Sequence, residues 1–478
     1  MSAILRTWVC STKKANTVRM GINKDILKLA VPSILANITV PLVGMVDIAV
    51  AGHLDANAAT MIGGIAIGSM LFDLVYWNFG FLRIGTGGLA AQAYGRGDRR
   101  ECARVLARAL GIALLSAVLL IMIQWLFIKA AFLVVDCTPE VRELASRYFH
   151  IRIWAAPATL SLMALKGWFI GMQDSVSAMV TDVVVNGTNI AMSFLLALGL
   201  TVGETHLVPA LGFSGIAAGT LVAQWTGFLT AVGILVFKYR GNTLRLLETV
   251  DYREMFKGEQ TRRFFVMNAD LFVRSLCFIA IYIGFTTISA RYGDLLLAVS
   301  SILMKLLLIF SYFTDGFAYA GEALTGKYIG AQNRPMVRQT VKWTFIWSMS
   351  LALIFMLVYW VAGSPMVRMM TSDTAVIEAA KGYLPWLLLM PVVGCAAFTW
   401  DGIYIGATAS RQMRNSMLWA VVAFAGVWTT GVILINGVFS LDEYLYGVVA
   451  LHILMAAYFA HLLARTVYLT IRYRKSIL

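Results

Sequence analysis

Apolar residues in this chain neither alternate nor recur every third or fourth position; for most of its length they run on unbroken. "GIALLSAVLLIMIQWLFIKAAFLVV" (residues 111–135) is one such run. A helix needs about 20 apolar residues to cross about 30 Å of hydrocarbon, and several runs here exceed that. The pattern predicts twelve spans near 25–52, 60–84, 104–134, 144–171, 176–201, 208–237, 264–290, 295–321, 338–363, 377–406, 414–437 and 445–470. A β-barrel is excluded, because its strands read as roughly ten-residue alternating segments. The fold class is therefore an all-α polytopic membrane protein. Composition agrees: of 478 residues 59% are hydrophobic and 13% charged, and the mean hydropathy is +0.76.

The net charge of +14 is distributed by loop. Basic residues crowd the first 24 positions, the loop with Arg96, Arg99, Arg100 and Arg104, the stretch 238–263, the loop with Lys327, Arg334 and Arg338, and the C-terminus. The opposite loops, "GHLDANAAT", "VGETH" and "GVFSLDEY", have no Lys or Arg. By the positive-inside rule both termini are cytoplasmic, with which an even span count agrees, and the expected location is the plasma (bacterial inner) membrane. No soluble basic domain exists to hold nucleic acid. The five cysteines have no CxxC spacing and the five histidines no HxxxH, so neither a disulfide framework nor a metal site is expected. Residues 1–24 read as a cytoplasmic tail too poor in apolar residues for a signal peptide, with Met20 a second candidate start. No GxSxG or HExxH motif lies within the spans, and "GTGGLAAQAYGRG" (85–97) lacks a P-loop lysine, so enzyme function is not expected.

The chain repeats itself. "LKGWFIGMQDS" (165–175) and "WDGIYIGATAS" (400–410) align Gly167, Ile170, Gly171 and Ser175 with Gly402, Ile405, Gly406 and Ser410, an offset of 235. The same offset pairs Tyr148 with Tyr383, Gly95 with Gly330 and Arg99 with Arg334. This predicts two six-helix bundles, 25–237 and 264–470, joined by a basic cytoplasmic linker 238–263 and followed by a short tail, 471–478. Six is even, so both bundles enter from the same side and are related by a pseudo-twofold axis along the membrane normal. Two equivalent bundles suit alternating access by a transporter.

Ionisable residues inside the spans cost roughly 2.5–3.5 kcal/mol each on insertion scales, and so call for a partner or a function. In the first span Asp47 is read as a proton-coupling carboxyl or cation ligand facing an internal cavity; the competing reading is a structural Asp capped by nearby hydroxyls. Pro32 and Pro41 each remove a backbone donor and favour a bend, and a shift of the Pro32 bend on protonation of Asp47 is one expectation. In the fifth span Asp182, Asn186, Asn189 and Ser193 fall on one helix face. The second half contributes Arg274, Lys305, Asp315, Glu322 and Asp401, with Asp315 and Glu322 on one face. Lys166 is the counterpart of Asp401, and either the two pair across the pseudo-axis or each has a local partner. Together with Lys166 this second set is expected to line a polar cavity.

These residues carry a resemblance. "NKDILKLAVPSILANITVPLVGMVDIAVAGHL", "DGFAYAGEALTGKYIGAQN" (315–333) and "MPVVGCAAFTWDGIYIGATASRQMRNSM" (390–417) resemble the first, eighth and tenth helices of the MATE (multidrug and toxic compound extrusion) family, most closely its DinF branch. The resemblance implies a monomeric cation-coupled antiporter that exports cationic or amphipathic organic compounds and needs no cofactor beyond an ion gradient. It maps the family's coupling carboxylate onto Asp47 and its bending proline onto Pro32. Where the family often carries Asn-x-x-x-Asp on helix 5, this chain has Asn189 and Ser193, and where some relatives have an amide seven residues before the helix-1 acid it has Val40. Both departures favour protons over sodium. Sodium coupling at Asp47 and Asn189 is the alternative, and a lipid-linked precursor flippase a more distant one.

Overall fold

The computed structural model describes residues 2–52, 54, 58–135, 137–202, 205–241, 259–438 and 443–478, with side chains described from residue 21. Among the described residues, twelve helical stretches of 23 to 37 residues are long and apolar enough to cross a membrane, as the hydropathy pattern predicts. The first eight helices are α1 (Ser2–Gly52), α2 (Ala58–Asn78), α3 (Phe81–Gly95), α4 (Arg99–Val134), α5 (Pro139–Arg152), α6 (Ala156–Gly171), α7 (Ser175–Leu198) and α8 (Phe213–Tyr239). A short antiparallel hairpin, β1 (Leu200–Val202) with β2 (Thr205–Val208), connects α7 to α8. Then follow α9 (Glu259–Ala290), α10 (Asp294–Gly330), α11 (Arg334–Met370), α12 (Thr374–Lys381), α13 (Leu384–Gly406), α14 (Ser410–Val438) and α15 (Glu443–Ser476). Helices outrun the apolar windows because hydropathy marks only what meets lipid. The segments read as tails, 1–24 and 471–478, are largely helical continuations of α1 and α15. Of the expected linker 238–263, residues 242–258 lie outside the described residues.

The chain divides into two compact units, Leu35–Phe265 and Val266–Leu478, the second also taking the residues up to Ile34. The expectation that the whole first span belongs to one bundle therefore differs from the contacts observed. Asn23 accepts a 3.0 Å hydrogen bond from Trp347 Nε1 on α11, and Ala30 and Ile34 lie against Gly316 of α10. The changeover at Ile34 falls two residues past Pro32, which leaves the carbonyl of residue 28 without its helical donor.

The duplication is visible in the backbone. In the Leu35–Phe265 unit α6 lies so close to α3 that a Cβ at Gly167 would sit 2.2 Å from the Arg83 carbonyl oxygen, and one at Gly171 2.6 Å from that of Gly87. In the other unit the counterparts Gly402 and Gly406 meet the Ala318 and Glu322 carbonyls at 2.0 and 2.3 Å, in the same register. Each pair is a GxxxG spacing, which lets membrane helices pack backbone to backbone without a hydrophobic driving force. Turns repeat as well. Gln173 and Thr408 take φ of +65° and +53°, and Gly97 and Gln332 take +72° and +54°. Asp98 and Asn333 cap the helices that follow, each accepting from the backbone N–H three residues on. The most interior spans are also counterparts: 72% of the apolar window of Pro139–Gly171 is buried, and 61% of that of Leu384–Gly406.

A carbonyl in a helix ladder cannot swing aside for a methyl group. Gly402→Ala is therefore expected to destabilise the protein by at least the roughly 1–3 kcal/mol of ordinary overpacking. Gly426→Ala, whose new Cβ meets nothing within 4 Å, serves as the control. Thermal unfolding in detergent compares the two.

Candidate functional site

The polar stripe of α7 faces protein along its whole length, and each member engages a different partner. Asp182 forms an ion pair with Lys166 of α6. One turn on, Asn186 donates to the Thr39 hydroxyl of α1. Asn189 Nδ2 donates to Thr220 Oγ1 of α8 at 2.9 Å. Ser193 Oγ donates to Asp47 Oδ1 of α1 at 2.9 Å. Asn189, Ser193 and Asp47 are 2%, 0% and 6% exposed. The stripe is thus a seam that holds the second part of α1 onto α7 by two hydrogen bonds about two turns apart. The five candidates do not form one cluster: Asp47 meets Ser193 at one end of the stripe with Asn189 one turn away, Asn186 is held by Thr39, and Asp182 is neutralised at the other end by Lys166.

Among the described residues the hydroxyl of Ser193 supplies the one hydrogen bond that Asp47 receives, and no basic group lies within ion-pair distance of it. A buried carboxylate holding a full charge normally collects several donors or a counter-ion. Among the described residues Asp47 has one donor and no counter-ion in direct contact, so its charged form is left short of partners. Asn189 Oδ1 is also buried without a hydrogen-bond partner among the described residues. No group of three or more His, Cys, Asp or Glu side chains that could hold a metal occurs among them.

Arg152, in the interior of the fourth span, is a neighbour the sequence reading missed. Its guanidinium donates to Tyr148 Oη at 2.9 Å and lies 4.8 Å from the centre of the Phe72 ring. It acts electrostatically on Asp47 and on Asp73 of α2, a carboxylate left exposed in mid-span. Single charges in "IRIWAAP" and "GSMLFDLVYW" were the available signals.

In the other unit Asp401 Oδ2 accepts 2.5 Å bonds from both Arg274 and Arg465. Of the two readings for Lys166 and Asp401, local partners are the one observed. Arg465, 1% exposed, was not anticipated, although it is the lone charge in "HLLARTVYL". Glu322 is fully buried and Asp315 half-buried on α10, whereas Lys305 on the same helix is exposed, so the second-half set is not gathered at one point.

At the start of α7, Asp174 caps the helix by accepting from Ser177 N and Oγ and ties in α8 through Lys238 Nζ and Tyr239 Oη, each at 2.7 Å. Burial opposes its charge, but the bonds from Lys238, Ser177 and Tyr239 outweigh it and hold the carboxyl below the usual carboxylate range. A depressed value in the folded state means that this stabilisation is present above the ordinary carboxylate range and is lost as pH falls through the lowered value. Asp174→Ala is expected to cost about 1–2 kcal/mol at neutral pH, with the difference from native shrinking in strong acid. Melting curves at several pH values check both parts.

Comparison with known proteins follows the same lines. The family model MatE matches residues 32–195 and again 271–428, one match in each half. DNA damage-inducible protein F of Escherichia coli (strain K12) is 36% identical over 407 residues, covering 84% of each chain. A probable multidrug resistance protein NorM from Synechocystis is 24% identical over 337 residues, 70% of this chain and 69% of that protein. A solved structure described as the outward-facing conformation of a multidrug resistance MATE family transporter of the MOP superfamily superposes with a TM-score of 0.81 at 15% identity, covering 95% of this chain and 96% of that one. With the duplicated matches, the close relative and twelve apolar helices in agreement, this chain belongs to the MatE family and is a multi-pass membrane transporter, not an enzyme.

Proposed function

We propose that this protein is a multidrug efflux antiporter that exports cationic or amphipathic organic compounds in exchange for protons by alternating access, as a monomer in the inner membrane with both termini cytoplasmic. The observation that carries the reading is Asp47, buried on the α1–α7 seam with one hydroxyl donor and, among the described residues, no ion-pair partner. In this reading a charged Asp47 attracts a cation and accepts from Ser193. A protonated Asp47 becomes a donor itself, which rewrites the hydrogen bond that pins α1 to α7 and frees α1 to shift about Pro32. The names of the relatives, a multidrug resistance protein among them, support the substrate class. The excess of basic loop residues on one side supports the orientation.

Protons rather than sodium are favoured because Asp182, the other acid on the stripe, is already satisfied by Lys166. Sodium is the second reading, and the open Asn189 Oδ1 beside Ser193 is what speaks for it. A flippase for anionic lipid-linked precursors would want free interior cations, whereas Lys166 and Arg274 are both paired with acids. Proteoliposomes given either a pH or a sodium gradient, with efflux of a fluorescent organic cation as the readout, separate these readings. The pH gradient alone is expected to drive efflux; efflux driven by sodium alone would overturn the proton assignment.

A further inference from the structure

Lys129 stands out on α4. It shares one helix face with Met122, Leu126 and Leu133, which are 74%, 71% and 87% exposed and so form an outward stripe suited to lipid chains. A cation on such a face is expensive unless it reaches the headgroups or meets an anion. Lys129 lies five residues before the end of α4, roughly 7 Å below it along the axis. A lysine stem can span that depth.

Beside it, between the end of α4 and the start of α5, is an open groove of about 580 Å³ that Lys129 itself lines. Arg142 borders it with its guanidinium 4.9 Å from the Phe132 ring centre. Among the described residues neither Lys129 nor Arg142 has a carboxylate partner, whereas Arg147, also on the groove, is paired with Glu143 at 3.0 Å. Among the described lining residues Lys129, Arg142 and Arg147 outnumber the acid Glu143, so that lining is net positive. Its deeper wall is aromatic: Trp125 lies tilted against His150 with ring centres 4.2 Å apart. The His150 Nδ1 proton is given to the Ser146 carbonyl at 2.8 Å, and Nε2 is buried with no partner among the described residues.

We propose that this groove is a binding site for an anionic phospholipid, in the leaflet opposite the loop that carries Arg96, Arg99 and Arg100. The phosphodiester sits between Lys129 and Arg142, and an acyl chain follows Met122 and Leu126. A continuous apolar stripe leading into a cationic groove distinguishes a lipid from a free phosphate, which would use only the cations. The site is separate from the Asp47 seam, so its failure leaves the coupling reading untouched.

The test is native mass spectrometry of the purified full chain titrated with phosphatidylglycerol or with phosphatidylcholine of the same acyl chains. Native protein is expected to retain one more phosphatidylglycerol than phosphatidylcholine. Lys129→Leu, which only completes an apolar face and leaves folding intact, is expected to lose that lipid, with Arg142→Gln adding to the loss and Lys129→Arg preserving it. Equal retention of the two lipids, or unchanged phosphatidylglycerol binding in Lys129→Leu with Arg142→Gln, overturns the proposal. Displacement of the lipid by soluble glycerol phosphate as effectively as by phosphatidylglycerol also overturns it, since the site would then be one for a free anion.

Discussion

Asp47→Asn is expected to fold as the native chain does and to export nothing in response to a pH gradient. The amide is nearly isosteric with the protonated acid and its oxygen can still accept from Ser193 Oγ, so folding is preserved while α1 is held as if Asp47 were permanently protonated. What is lost is the ability to exchange a proton for a cation. In a coupled pair, one ligand changes the affinity for the other by about 5–150-fold. In the variant, substrate affinity should become independent of pH over the range where the native affinity varies. Binding isotherms at several pH values and efflux from proteoliposomes measure the two halves of this prediction. A variant that melts like the native chain but exports normally would remove Asp47 from the mechanism.

The second large effect lies in the other unit and is one of folding. Asp401→Ala strands Arg274 and Arg465 inside the membrane domain, with side chains 17% and 2% exposed. Breaking a buried ion pair by removing one partner costs about 3–5 kcal/mol, because an uncompensated charge remains. The variant is expected to yield little monodisperse protein on size-exclusion chromatography. The cluster is not fully satisfied even in the native chain: Arg274 Nε and Arg465 Nε and Nη1 are buried without hydrogen-bond partners among the described residues. Replacing all three charges together, as Asp401→Leu, Arg274→Met and Arg465→Met, should therefore recover much of the stability lost in Asp401→Ala. Thermal unfolding of the two variants side by side makes the comparison.

The sequence disclosed what depends on pattern and withheld what depends on pairing. Twelve spans were legible because each needs its own apolar run. The duplication was legible because close backbone contact admits only glycine, and the Gly167/Gly171 and Gly402/Gly406 pairs recur at one offset. The stripe Asp182, Asn186, Asn189 and Ser193 was legible as a face. Which helix that face meets was not, because periodicity fixes a direction around a helix axis and says nothing of the neighbour. Thr39 and Thr220 carried no signal of their own, being two hydroxyls among many. Lys166 and Asp182 flank the α6–α7 turn at comparable distances, so an antiparallel hairpin alone would have suggested that pair. Arg152, Asp73 and Arg465 are charges in apolar runs that no motif accompanies, so the pattern did not single them out. The transfer of α1 up to Ile34 to the second unit was hidden as well, since an uninterrupted helix gives no mark where its contacts change sides.

Proton release on substrate binding reaches the central claim most directly. Purified protein in weakly buffered detergent, mixed with a fluorescent organic cation and a pH-indicating dye, should release a proton for each cation bound, and Asp47→Asn should bind without release. Binding by the native protein with no proton released, or the same release from Asp47→Asn, would contradict the account.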